Sequence, residues 1–96
     1  MQLGDVIARL EDEVFASETL FALDDLALTA RVVALAAENH LSAGEFAAQS
    51  VGQFVNSASD EEWLTLIGLM SRADDPGQVF LRRILLAALG TPPLHS

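Results

Sequence analysis

Apolar residues recur at helical spacing along almost the whole chain, and each helical stretch is closed by a capping signal. No stretch alternates apolar and polar residues as a half-buried strand does. These two features restrict the chain to an all-α fold, a compact bundle of five to six short helices. In the first segment Leu3, Val6, Ile7, Leu10 and Val14 form one stripe. Asp5, Arg9, Asp12 and Glu13 lie opposite, and the four-residue spacings Asp5–Arg9 and Arg9–Glu13 support a surface helix.

In "ASETLFAL", Ser17 reads as the N-cap of a short second helix reaching about Leu23. Asp24 reads as the cap of a third helix that runs to about Asn39. Its stretch "LALTARVVALAA" is apolar on almost every side, so it is expected to be the central, most buried helix. Arg31 is the one charge inside it, with an apolar stem long enough to reach the edge of a core. Ser42 and Glu45 then have capping-box spacing, flanked by Leu41 and Phe46 as a hydrophobic staple. The fourth helix should run from Ala43 to about Asn56 and bury Phe46, Ala47, Ser50, Val51, Phe54 and Val55.

The stretch "NSASDEEWLTL" sets three acids beside the single tryptophan. Ser59 and Glu62 repeat the capping box, and Asp60 and Glu61 fill the first turn. There a negative charge complements the positive end of the helix dipole, by about 0.3–1 kcal/mol each. Each acid therefore has a structural role, and Trp63, Leu66, Ile67 and Met70 form the buried stripe behind them. In "RADDPGQVF", Asp75 caps, Pro76 takes the first helical position and Gln78 stands at N3. The sixth helix should run from Pro76 to about Leu89, stopped by Gly90 and "TPP". Residues 1–90 are expected to form one helical domain, and 91–96 a loose tail.

Ninety-six residues allow a single core, and a hydrophobic content of 51% is rich for so small a chain. Some of that apolar surface is expected outside, where it would meet a partner or a second copy. The net charge is −9, and the five cations are Arg9, Arg31, Arg72, Arg82 and Arg83. Such a charge repels nucleic acid and anionic membranes, whose proteins bind by neutralising phosphate. The acids near the N-terminus do not suit a secretory signal, and the run "ILLAALG" is far short of the roughly 20 residues of a spanning helix. A soluble, cytoplasmic protein is expected.

Nothing in the pattern points to catalysis. His40 and His95 have no acid three or four residues away, so the Glu-x-x-His spacing of di-iron bundles is missing. There is no cysteine, no Gly-x-Ser-x-Gly and no glycine-rich phosphate loop. The acid pairs Asp24/Asp25, Glu61/Glu62 and Asp74/Asp75 fall at helix starts, where capping accounts for them. Ser17, Ser42 and Ser59 follow Ala16, Leu41 and Ala58, so the Asp-Ser-Leu attachment motif of acyl carrier proteins is absent. No enzymatic activity, cofactor or metal is expected.

The segment "ARVVALAAENHLSAGEFAAQSVGQFV", Ala30 to Val55, resembles the two-helix half of ribbon-helix-helix repressors. It shares a helix of small apolar residues, a polar break and a Ser-capped second helix. The preceding "LDDLALT" lacks the basic or polar DNA-reading strand of that family. The resemblance therefore implies a helix pair that dimerises, without DNA recognition. The stretch "ASDEEWLTLIGLMSRADDPG" is similar to short uncharacterised bacterial helical proteins and implies no activity.

The expected function is a protein–protein interaction module that self-associates as a homodimer or acts as an adaptor. The sixth helix carries more leucines than one buried stripe needs, which marks Leu81, Arg82, Leu85, Leu86 and Leu89 as interface residues. The alternative is a regulator that binds nucleic acid through Arg72, Arg82 and Arg83.

Overall fold

Five side chains, those of Asp12, Asp25, Ser42, Ser59 and Asp75, each accept a hydrogen bond from a first-turn backbone N–H and so start a helix. The computed structural model describes residues 3–90. Among them six helices follow one another: α1 Leu3–Leu10, α2 Glu13–Ala22, α3 Leu26–Glu38, α4 Ala43–Ser57, α5 Asp60–Ser71 and α6 Pro76–Ala88. The protein is an all-α bundle. Its radius of gyration is 12.7 Å, close to the ~13 Å of a folded chain of this length. None of these helices is long and apolar enough to cross a membrane. The expected tail, 91–96, lies outside the described residues.

Both capping boxes form. Ser42 Oγ accepts from Glu45 N–H at 3.1 Å, while Glu45 Oε1 accepts from Ser42 N–H at 2.8 Å. Ser59 and Glu62 repeat the exchange at 3.2 and 3.0 Å. Asp75 Oδ1 accepts from Gln78 N–H, with Pro76 opening the helix. The acids of "NSASDEEW" therefore begin α5.

Two starts differ from the sequence reading. Asp12, rather than Ser17, caps α2, since its Oδ1 accepts from both Val14 and Phe15 N–H at 2.8 and 3.1 Å. The break at residues 11–12 shifts the helical phase, so Val14 leaves the α1 stripe and stands 69% exposed. The cap of α3 is Asp25 rather than Asp24. Asp24 makes the bend itself, in a left-handed conformation with φ 55° that Asp tolerates better than most residues. His40, with φ 59°, plays the matching part after α3. There Leu41 N–H donates to Ala36 C=O and His40 N–H to Ala37 C=O, a Schellman closure.

The burial of α3 and α6 is the reverse of what their composition suggests. α6 packs against α1, α2, α4 and α5, and buries Phe80, Leu81, Ile84 and Leu85. α3 packs chiefly on α4 and buries only Leu28, Val32 and Ala36. The reason is bulk: burying a leucine or phenylalanine removes far more apolar area from water than burying an alanine. The alanine-rich helix is therefore left at the periphery.

α2 and α4 make the most extensive helix pair. Ala16 and Leu20 of α2 and Gly44, Ala47 and Val51 of α4 are all buried. At Gly44 an added methyl group would collide with the carbonyl oxygen of Glu13 and lie 3.2 Å from Ser17 Cβ. Two buried hydroxyls are satisfied inside their own helices, Thr19 Oγ1 donating to Phe15 C=O and Ser50 Oγ to Phe46 C=O, each at 2.8 Å. Across the bundle Phe54, Trp63 and Phe80 join α4, α5 and α6, with ring centroids 5.0–6.3 Å apart.

Gly44→Ala should lower stability by about 1–3 kcal/mol, because the obstructing atom is backbone and cannot rotate away. Gly52→Ala, at an α4 position where an added Cβ meets nothing within 4 Å, is the control and should be neutral or stabilising. Urea denaturation of both variants tests this. Equal effects would contradict a close contact at Gly44.

Candidate functional site

Three of the five residues marked on α6 are occupied inside the chain. Leu81 and Leu85 have no exposed surface and belong to the core. A docking surface cannot be built from them, because two adjoining faces of α6 are needed to fill the middle of the bundle. Arg82 pairs with Asp25 across the chain, its Nη1 donating to Asp25 Oδ2 at 2.7 Å and its Nη2 to Leu23 C=O at 3.5 Å. Leu86 and Leu89 are half-buried and pack against the core cluster. Of the arginines weighed for nucleic acid, Arg72 stands exposed at the C-cap of α5 and Arg83 exposed on α6. Arg82 is engaged, and neither Arg72 nor Arg83 is in an ion pair among the described residues.

Asp25 does two jobs at once. One carboxylate oxygen accepts from Leu28 N–H at 3.0 Å to cap α3, and the other accepts from Arg82 of α6. The Leu28 N–H, and after it the Arg82 guanidinium, hold this carboxyl below the usual carboxylate range. This pair clamps the start of α3 to the bundle.

Beyond that clamp, the outer face of α3 is apolar. Leu26, 83% exposed, and Val33, 45% exposed, share this face with Ala30 and Ala37, at successive spacings of four, three and four residues. Ala27 and Ala34 lie beside them and are also exposed. The spacing is that of one seam of a helix pair. Between Asp25 and Glu38 the helix carries no acid, and Arg31 is its only charge. Phe21, near the end of α2, is a further exposed aromatic.

Elsewhere, exposed apolar residues come with acids or with the cleft between α1 and α5. Leu64 and Ile67 stand out from α5, and Asp60 and Glu61 are one turn from Leu64 on the same side. A cleft of about 330 Å³ is lined by Leu3, Val6, Ile67, Met70, Ser71, Ala73 and Pro76, none of them titratable. Among the described residues no group of three or more His, Asp or Glu side chains is placed to hold a metal ion. None of their buried side-chain polar atoms lacks a hydrogen-bond partner.

In the sequence the α3 face shows as an excess of small apolar residues, a composition that by itself suggests a core helix. The signal that separates the two readings is side-chain size rather than periodicity. Comparison with protein-family models, with curated proteins and with solved structures finds no match to the chain.

The Asp25–Arg82 clamp has a pH signature. A carboxyl whose pKa is depressed by folding adds stability above its ordinary value, and that stability is lost as pH falls through the folded value. Asp25→Asn keeps a cap acceptor and removes the titration. Wild type should therefore be more stable than this variant at pH 7, with the gap closing below about pH 4. Thermal melts from pH 7 to 2.5 read it, and a gap independent of pH would contradict the clamp.

Proposed function

We propose that this protein is a non-enzymatic helical interaction module that self-associates through the outer face of α3. The observation that carries the reading is the exposed Leu26–Ala30–Val33–Ala37 seam, on a helix with no acid between Asp25 and Glu38. Two copies of a chain with a net charge of −9 repel one another over most of their surface. The outside of α3 is where a second copy meets apolar surface with the least repulsion. The face of α5 with Leu64 and Ile67 would bring Asp60 and Glu61 of both copies together.

What supports an interaction role over chemistry is how the reactive groups are spent. Asp12, Asp25, Asp75, Glu45 and Glu62 all bond backbone N–H groups at helix starts. The apolar cleft at Ile67 has no acid or base on its walls. The interface assigned to Leu81 and Leu85 from sequence gives way to α3, whose exposed residues the fold does not use. The helix pair implied by the ribbon-helix-helix resemblance includes α3, and its implied dimerisation agrees in kind with this proposal.

Size-exclusion chromatography with light scattering, from ~10 to several hundred micromolar, tests the reading. Wild type should move from monomer toward dimer mass, and Val33→Glu should stay monomeric with unchanged helicity. A wild type that stays monomeric throughout would overturn it.

A further inference from the structure

The self-association proposed above leaves open how the two copies are oriented, and two charges at the edge of the α3 face bear on that. Arg31 and Glu38 are both exposed and lie at one edge of the outer face of α3, next to Ala27 and Ala34 and on the side away from Leu26 and Val33, seven residues apart. Seven residues are two turns, ~10.5 Å along the helix. Within the chain neither is in an ion pair among the described residues, where Arg82–Asp25 is the pair formed. We infer that a second copy docks with its α3 antiparallel to the first, so that Arg31 of each chain meets the partner's Glu38.

The geometry follows from twofold symmetry. In an isologous dimer, if residue i of one copy meets j of the other, then j meets i. A twofold axis across the seam, level with the Ala34–Leu35 step, reverses the helix direction and keeps each edge on its own side. Arg31 then stands level with the partner's Glu38, and Glu38 with the partner's Arg31. Beside these two ion pairs, Ala30, Ala34 and Ala37 of the two chains interleave, their small side chains allowing the helices to approach closely. A parallel pairing, about a twofold along the helices, would carry the Arg31–Glu38 edge of the second copy to the opposite side of the contact, where neither charge meets a counterpart.

The contact is short. Thirteen residues of helix span ~20 Å, so this strip alone falls below the roughly 1,000 Å² of a stable interface. The dimer is accordingly a weak, reversible one. The charged rim then contributes mainly orientation and the seam the affinity.

Charge reversal on the full chain tests the orientation. Arg31→Glu, Glu38→Arg and the double variant all change exposed side chains, and far-UV circular dichroism confirms that each stays folded. Sedimentation equilibrium should show each single variant associating about tenfold more weakly than wild type, and the double variant recovering most of the loss. Arg31→Glu raises the net negative charge and Glu38→Arg lowers it. A response to net charge alone would therefore move the two in opposite directions and overturn the pairing. A wild type that dimerises but is indifferent to the single changes also overturns it, while leaving self-association standing. A wild type monomeric at all concentrations removes both.

Discussion

At Gly44 the backbone of α4 comes against the Glu13 carbonyl at the start of α2, and only a hydrogen atom fits between them. The rest of the bundle is arranged around that approach. Because Ala16 and Ala47 are small, the two helices lie close along their buried faces, with Leu20 and Val51 filling the remainder. α1 packs on both, and α6 closes the other side with Phe80, Leu81, Ile84 and Leu85. Gly44 also sits in the first turn of α4, directly inside the Ser42–Glu45 capping box. The box fixes where the helix begins, and so places the glycine opposite Glu13. Local capping and long-range packing meet in four consecutive residues.

The local part of this structure is written plainly in the sequence. The caps at Ser42, Ser59 and Asp75, and Pro76 at the first helical position, depend on neighbouring residues alone. Where two cap candidates compete, the sequence is less direct. Asp24 and Asp25 are equivalent on paper, and a left-handed bend at the first makes the second the cap. Ser17 has the right side chain for a cap, yet Asp12 starts the helix five residues earlier and leaves Ser17 inside it. The contact at Gly44 has no local signature, since it depends on a residue 31 positions away. Periodicity shows which side of a helix turns inward. It does not rank helices by depth, and that is why α3 and α6 exchange places relative to expectation.

That exchange also relocates the candidate site. Leucines that look surplus on α6 are consumed by four neighbouring helices. Four of the five alanines that look like core packing on α3, Ala27, Ala30, Ala34 and Ala37, are exposed, and only Ala36 is buried. The 51% hydrophobic content is divided unevenly: the large side chains make the core, and much of the small-residue surface faces outward. The α3 face is free of acids over residues 26–37 and, unlike the acid-free stretches 46–59 and 76–90, it exposes large apolar side chains, Leu26 and Val33. Asp25, fixed by Leu28 N–H and Arg82, holds the near end of that face to the bundle. A docking helix anchored in this way loses little conformational freedom on binding.

The most direct test of α3 as the contact surface is a residue-resolved one. Backbone amide chemical shifts of the isotopically labelled full chain can be followed by nuclear magnetic resonance from ~20 micromolar to ~1 millimolar. Self-association through α3 predicts concentration-dependent shifts concentrated at Leu26, Ala30, Val33, Ala34 and Ala37, with α6 unmoved. Shifts centred on α5 or α6 instead, or none across the range, would contradict it.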